Sequence, residues 1–139
     1  MIQEEKDKLL KYLCMALPYG VMVLTDINKR FDGGVIDELK SYYNGYFYTK
    51  HSLTPFTIEE VKPYLRPMSS MTESERKILS SMSSHSINCL HRLLNYSPDW
   101  YYLIYNEVDW LLEHHFDFMG LIPMDCAIEI TEYNNPYKE

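Results

Sequence analysis

Tyr42-Tyr43-Asn44-Gly45-Tyr46-Phe47-Tyr48 places an Asn-Gly pair between two aromatic runs. Both central residues of a type I′ turn need positive φ, which asparagine tolerates and glycine adopts freely. Aromatic side chains in turn favour a pleated strand, so the stretch predicts a two-residue β-hairpin. Val35 to Tyr43 supplies the first arm, and Asp32-Gly33-Gly34 marks a turn before it. Further back, Val21-Met22-Val23-Leu24-Thr25 reads as a strand followed by the turn-forming Asp26-Ile27-Asn28-Lys29. Residues from about 20 to 50 are therefore expected to form a small antiparallel β meander.

Outside this region the patterning is helical. Over residues 3 to 16, Leu9, Leu10, Leu13, Cys14 and Leu17 recur at helical spacing opposite Glu5, Lys8 and Lys11, and Pro18 and Gly20 stop the run. Thr57-Ile58-Glu59-Glu60 has the form of a capping box opening a short helix ahead of Pro63. Arg66 to Met71 reads as an irregular connector, and Thr72-Glu73-Ser74-Glu75 as a second capping box whose helix runs to about Met82. A serine-rich join over residues 80 to 86 leads to a further helix from Ile87 to Leu94. Asn106 is placed to cap a helix over 107 to 116, with Val108, Leu111, Leu112 and His115 as its apolar stripe. Gly120 closes that element, Cys126 to Thr131 reads as a last strand, and the tail after Tyr133 is expected to be loose. The reading is an α+β fold over residues 1 to 139 as one domain, with the antiparallel meander packed against four or five helices.

With 139 residues, 46% hydrophobic and 24% charged, the chain has the composition of one globular domain. Its apolar runs are far shorter than the roughly twenty residues a bilayer-spanning helix requires, and no apolar signal core follows Met1, so a cytoplasmic protein is expected. Cys14, Cys89 and Cys126 are odd in number and widely spaced, which argues against a disulfide framework or zinc ribbon and for small buried hydrophobes.

Charge is unevenly distributed. From Leu93 to Glu139 there are nine carboxylates against the single Lys138, whereas residues 1 to 92 hold eleven acids and twelve bases, so the net charge of -7 resides in the last third. The same stretch carries ten of the twenty aromatic residues. Aromatic rings anchor interfaces, and an acidic rim repels nucleic acid while attracting basic partners. Trp100, Tyr101, Tyr105, Trp110, Glu113 and Asp117 are accordingly the protein-interface candidates. A second cluster, Tyr64, Arg66, Arg76 and Lys77, has the side chains to hold an anionic, nucleotide-like ligand, with the ring stacking on a base.

Motifs for catalysis are absent from the sequence: there is no Gly-x-Ser-x-Gly elbow, P-loop or dinucleotide fingerprint. Asp37-Glu38 and Glu59-Glu60 are adjacent pairs whose members face apart and read as solvated charge. His114 and His115 would point about 100° apart on a helix and so cannot both ligate one metal. His85 and Cys89 share a helical spacing but supply only two ligands. No enzyme activity, metal or cofactor is expected.

Three blocks carry a family resemblance: Val61-Lys62-Pro63-Tyr64-Leu65-Arg66-Pro67-Met68-Ser69-Ser70-Met71-Thr72, then Asp109-Trp110-Leu111 with His114-His115-Phe116-Asp117 and Gly120-Leu121-Ile122, and Leu17-Pro18-Tyr19-Gly20-Val21. The chain resembles short proteins encoded by prophages and mobile elements of anaerobic gut bacteria, for which no activity is established. Similar proteins have Tyr-Arg where this one has Phe118-Met119, which removes a base from the neighbourhood of the histidines. The resemblance implies an accessory protein of the bacterial cytoplasm. Together with the acidic, aromatic C-terminal third, it leads to a non-enzymatic protein that binds a host protein. Sequestration of a nucleotide-like anion is the alternative, homo-oligomerisation a further one, and neither nucleic acid nor membrane is expected as a partner.

Overall fold

Asn44 and Gly45 both adopt positive φ, 54° and 86°, so the hairpin turn is the type I′ reversal its residues favour. In a computed structural model, residues 1–25, 34–82 and 105–137 are described. The helices are α1 (Gln3–Ala16), α2 (Glu73–Met82) and α3 (Tyr105–Glu113), and the strands are β1 (Met22–Thr25), β2 (Val35–Tyr43), β3 (Tyr46–Thr49), β4 (Val61–Leu65) and β5 (Ile128–Glu129). Three short 3₁₀ turns, Leu17–Tyr19, Ile58–Glu60 and Met68–Ser70, join them.

The sheet has the order β3-β2-β1-β4-β5. β1, β2 and β3 form the expected antiparallel meander, with Val23 opposite Asp37 and Tyr42 opposite Phe47. β4 then returns beside β1, antiparallel, with Val23 opposite Pro63, and β5 lies parallel to β4. The α+β class holds, but the sheet is mixed and five-stranded. Val61–Leu65, expected to follow a short helix, is itself a strand. Pro63 is tolerated because it stands one residue ahead of the first β4–β5 pair, Tyr64 with Ile128, where no ladder needs its missing N–H. Instead of four or five helices, three are present among the described residues. The helix expected over 87 to 94 and the turn over 26 to 29 lie outside them.

One continuous cluster of buried side chains joins the inner sheet face to the helices. α1 contributes Leu9, Tyr12, Leu13 and Ala16, a stripe rotated from the expected one, so that Cys14 faces solvent while Leu10 and Leu17 are only partly covered. The rotation follows from Tyr12, whose ring packs on Phe118 and whose hydroxyl donates to the Phe116 carbonyl at 3.0 Å. The Thr72 capping box forms in both directions, Thr72 N–H to Glu75 Oε1 at 2.9 Å and Glu75 N–H to Thr72 Oγ1 at 3.2 Å. No helix among the described residues is long and apolar enough to cross a membrane.

Gly34 brings the chain into β2 with φ at 67°, and a Cβ there would lie 2.7 Å from the Thr25 carbonyl oxygen. Gly34→Ala is therefore expected to lower stability by about 2–3 kcal/mol, left-handed strain adding to a backbone clash. A urea unfolding midpoint unchanged from the parent protein would contradict this.

Candidate functional site

Two members of the expected C-terminal interface, Trp110 and Asp117, are taken into the fold. Trp110 is buried, stacked on the His114 ring at 4.2 Å and on Phe116 at 5.8 Å. Asp117, fully buried at 0% exposure, accepts the backbone N–H groups of Leu121 and Ile122, each at 2.8 Å. Neither is available to a partner, because an amphipathic ring and a loop-organising carboxylate satisfy internal needs first. Burial pushes the Asp117 carboxyl up, and the N–H groups of Ile122, Leu121 and Gly120 pull it back. Glu107 is likewise buried, and Asp109 accepts the Tyr19 hydroxyl at 2.7 Å. Glu113 stays exposed. Trp100 and Tyr101 lie outside the described residues, as do His85 and Cys89; of Tyr105 only the backbone, at the start of α3, is described.

α3 ends at Glu113, three residues earlier than expected, and starts at Tyr105, so that Asn106 sits inside its first turn rather than before it. His115 occupies the left-handed position of a Schellman motif, φ 61°, with His115 N–H donating to Leu112 O at 3.0 Å and Phe116 N–H to Leu111 O at 2.9 Å. Glycine normally signals this stop. Here a histidine holds it by stacking on Tyr137 at 3.7 Å between ring centres, so His115 does not continue the apolar stripe of α3. His114 turns back on its own helix, Nδ1 lying 2.8 Å from the Trp110 carbonyl. No group of three potential metal ligands is present among the described residues.

Desolvation, with His114 and Arg66 nearby, pushes the His115 imidazole down to about 4. Its unfolded value is near 6.5, so between the two the unfolded chain takes a proton that the folded chain refuses. The contribution of His115 to stability is thus expected to be flat above about pH 6.5 and to fall by about 2 kcal/mol toward pH 4, a figure already reduced for the partial exposure of the ring. His115→Asn keeps a residue that tolerates left-handed φ and removes the titration, so its unfolding free energy should vary less over that window. Parallel pH profiles for the two proteins would refute the assignment.

The anion-binding candidates do not converge. Arg66 makes a two-pronged ion pair with Glu75, Nη1 to Oε2 at 2.8 Å and Nη2 to Oε1 at 2.7 Å, and its guanidinium lies 4.1 Å above the Phe116 ring. That pairing, ahead of the burial that opposes it, holds the Glu75 carboxyl at about 2. Tyr64 is buried, while Arg76 and Lys77 lie on the surface of α2, Lys77 exposed and Arg76 partly so. None of the four lines the cleft described next, and a ring buried at Tyr64 cannot stack on a nucleobase.

That cleft surrounds a pair the sequence does not announce. Asp37, expected to be solvated, is only 3% exposed because it stands on the inner face of β2 between Val35 and Leu39, opposite Val23. His51, just beyond β3, covers it: Nδ1 lies 2.9 Å from Asp37 Oδ1, the His51 N–H donates to Oδ2 at 2.8 Å, and the Glu38 N–H donates to Oδ1 at 2.8 Å. Burial pushes the Asp37 carboxyl up, but the His51 ring and backbone and the Glu38 N–H outweigh it and hold the group below its ordinary value. Thr25, Val35, Ser52, Leu53, Thr54 and Phe56 complete a cleft of about 460 Å³ around the pair. Sequence reasoning had one usable signal, an acid two residues from Leu39 on the same face of a strand, where burial demands a partner. No protein-family model, curated protein or solved structure matches the chain.

Proposed function

We propose that this protein is a non-enzymatic binding module, carried by a prophage or mobile element, that attaches to a protein of its bacterial host in the cytoplasm. The observation that supports the reading is the hairpin tip: Tyr42, Tyr43 and Tyr46 are exposed beside a type I′ turn, Tyr43 at 73%. Tyrosine buries large area at low entropic cost and brings its own hydrogen-bonding group, which makes such a cluster a natural anchor. Attachment through side chains is favoured over strand addition, because the outer edge of β3 is already occupied. Phe47 and Phe56 exchange backbone hydrogen bonds at 2.7 and 2.9 Å across it. Exposed Glu113, Glu129 and Glu132 leave an acidic surface toward the C-terminus, compatible with a basic rim on the partner.

The contact surface therefore moves from Trp110 of α3, which the core takes, to the β2–β3 hairpin. A test is affinity capture from a lysate of the encoding bacterium, read by native mass spectrometry, with the parent protein beside a Tyr43→Ser, Tyr46→Ser variant. A stoichiometric partner protein bound at least tenfold more weakly by the variant is the expected result. Equal capture by both would reject the hairpin face. A released small anion would return the sequestration reading, and a defined multimer of the chain alone would favour self-association.

A further inference from the structure

The Asp37–His51 pair resembles an orienting device more than a surface ion pair, since one partner is buried and the other, at 75% side-chain exposure, is held by ring and backbone together. With Asp37 ionised and Nδ1 donating to it, Nε2 is the ring atom left to the cleft, and in a neutral imidazole it is an acceptor. Two of the three hydroxyls that line the cleft, those of Thr25 and Ser52, are engaged elsewhere. Thr25 donates to the Val35 carbonyl at 2.9 Å, and Ser52 Oγ both donates to the Thr54 carbonyl at 3.2 Å and accepts the Thr54 N–H at 3.1 Å. Beside the exposed Thr54, what remains is apolar: the buried Phe56, Val35 at 55% exposure, and Leu53, at 101% an aliphatic side chain fully open to solvent.

We propose that this cleft binds a small, largely apolar molecule carrying one hydroxyl group, a phenol or alcohol, whose O–H donates to His51 Nε2 while its hydrocarbon covers Leu53, Val35 and Phe56. The volume, about 460 Å³, lies within the range of small-molecule sites. One fixed acceptor in a mostly apolar cleft favours a ligand with one donor, because a polar group set against Leu53, Val35 or Phe56 would lose its water without gaining a partner. A carboxylate ligand would face the negative charge of Asp37 across one imidazole ring. A cation would find that carboxylate behind the ring with three hydrogen bonds already made to its oxygens. The inference stands apart from the hairpin reading, since the hairpin tyrosines do not line the cleft.

Titrating the full chain with 4-ethylphenol, ethylbenzene and 4-ethylbenzoate, followed by NMR at the Leu53 methyls and the His51 ring nitrogens, tests it. Saturable shifts at both residues are expected, with 4-ethylphenol bound about fivefold to tenfold more tightly than ethylbenzene, as one hydrogen bond provides. His51→Ala, which removes the acceptor, should erase that preference, and Leu53→Ser, at a fully exposed position, should weaken both ligands. If His51→Ala does not fold, the movement of the Nε2 signal in the parent protein on adding 4-ethylphenol but not ethylbenzene decides the matter. Equal affinity for phenol and hydrocarbon, tighter binding of 4-ethylbenzoate, or no saturable shift with any of the three would each overturn the proposal.

Discussion

Asp117→Ala is expected to lower the unfolding free energy by about 4 kcal/mol, a large share of the roughly 5–15 kcal/mol by which an ordinary domain is stable. The carboxylate is fully buried and is the acceptor for the Leu121 and Ile122 N–H groups at the start of the 121–125 turn. Alanine leaves both donors in the interior without partners, at about 1–3 kcal/mol each. The loss also spreads, because Asp117 N–H donates to the Arg66 carbonyl and Arg66 N–H to the His115 carbonyl, so the 115–117 segment ties β4 to the end of α3. Asp117→Asn retains one acceptor oxygen but turns an NH₂ toward the second donor, and should cost about half as much. Urea unfolding followed by far-ultraviolet circular dichroism separates these. An alanine variant within about 1 kcal/mol of the parent protein would mean that water reaches the two N–H groups and that the loop is not organised by this carboxylate.

Tyr137→Phe is the second large effect, about 2 kcal/mol. The Tyr137 hydroxyl accepts the Met22 N–H at 2.8 Å and donates to the Tyr64 carbonyl at 3.0 Å. β1 and β4 last pair directly at Val23 and Pro63, so one residue further on the phenol stands in the ladder where Met22 and Tyr64 would otherwise meet. Burial pushes its ionisation up, with the Met22 N–H pulling the other way, so the hydroxyl stays neutral and keeps its donor role at any ordinary pH. Phenylalanine preserves the stacking on His115 and removes only the bridge, whereas Tyr137→Ala removes both and should cost about 4 kcal/mol. Hydrogen exchange at the Met22 amide gives a local check: it should accelerate in the Phe variant, and an unchanged rate would show that the strands close without the phenol.

These two residues also show where reading the chain locally reaches its limit. Nothing beside Asp117 in the chain announces that its carboxylate is buried with the Leu121 and Ile122 N–H groups, and Tyr137 takes its weight from Met22 and Tyr64, 115 and 73 positions away. The tail after Tyr133 has the composition of a loose end, and yet Asn134 accepts from Thr131 and donates to the Glu129 carbonyl, which directs Tyr137 back to the sheet. Aromatic and acidic residues crowd the last third, but burial divides them: Trp110, Phe116, Phe118 and Asp117 go inside, Glu113 and Tyr133 outside. Composition cannot make that division, because a ring or a carboxylate is equally at home in a satisfied interior and on an interface.

What the sequence determined by itself is local. Asn44-Gly45 set the hairpin through the sign of φ, Thr72 and Glu75 started α2 by answering each other's free N–H groups, and helical spacing marked α1. Each is settled by forces acting over a few residues. Tertiary structure alone decided that Val61–Leu65 is a strand, that α3 stops at a histidine braced by Tyr137, and that Asp37 meets His51 in a cleft. The strand is made by neighbours on both sides, and the helix stop by a stacking partner distant in the chain. The Asp37–His51 pair follows from the cost of burying a charge, which arises only once the sheet has turned Asp37 inward.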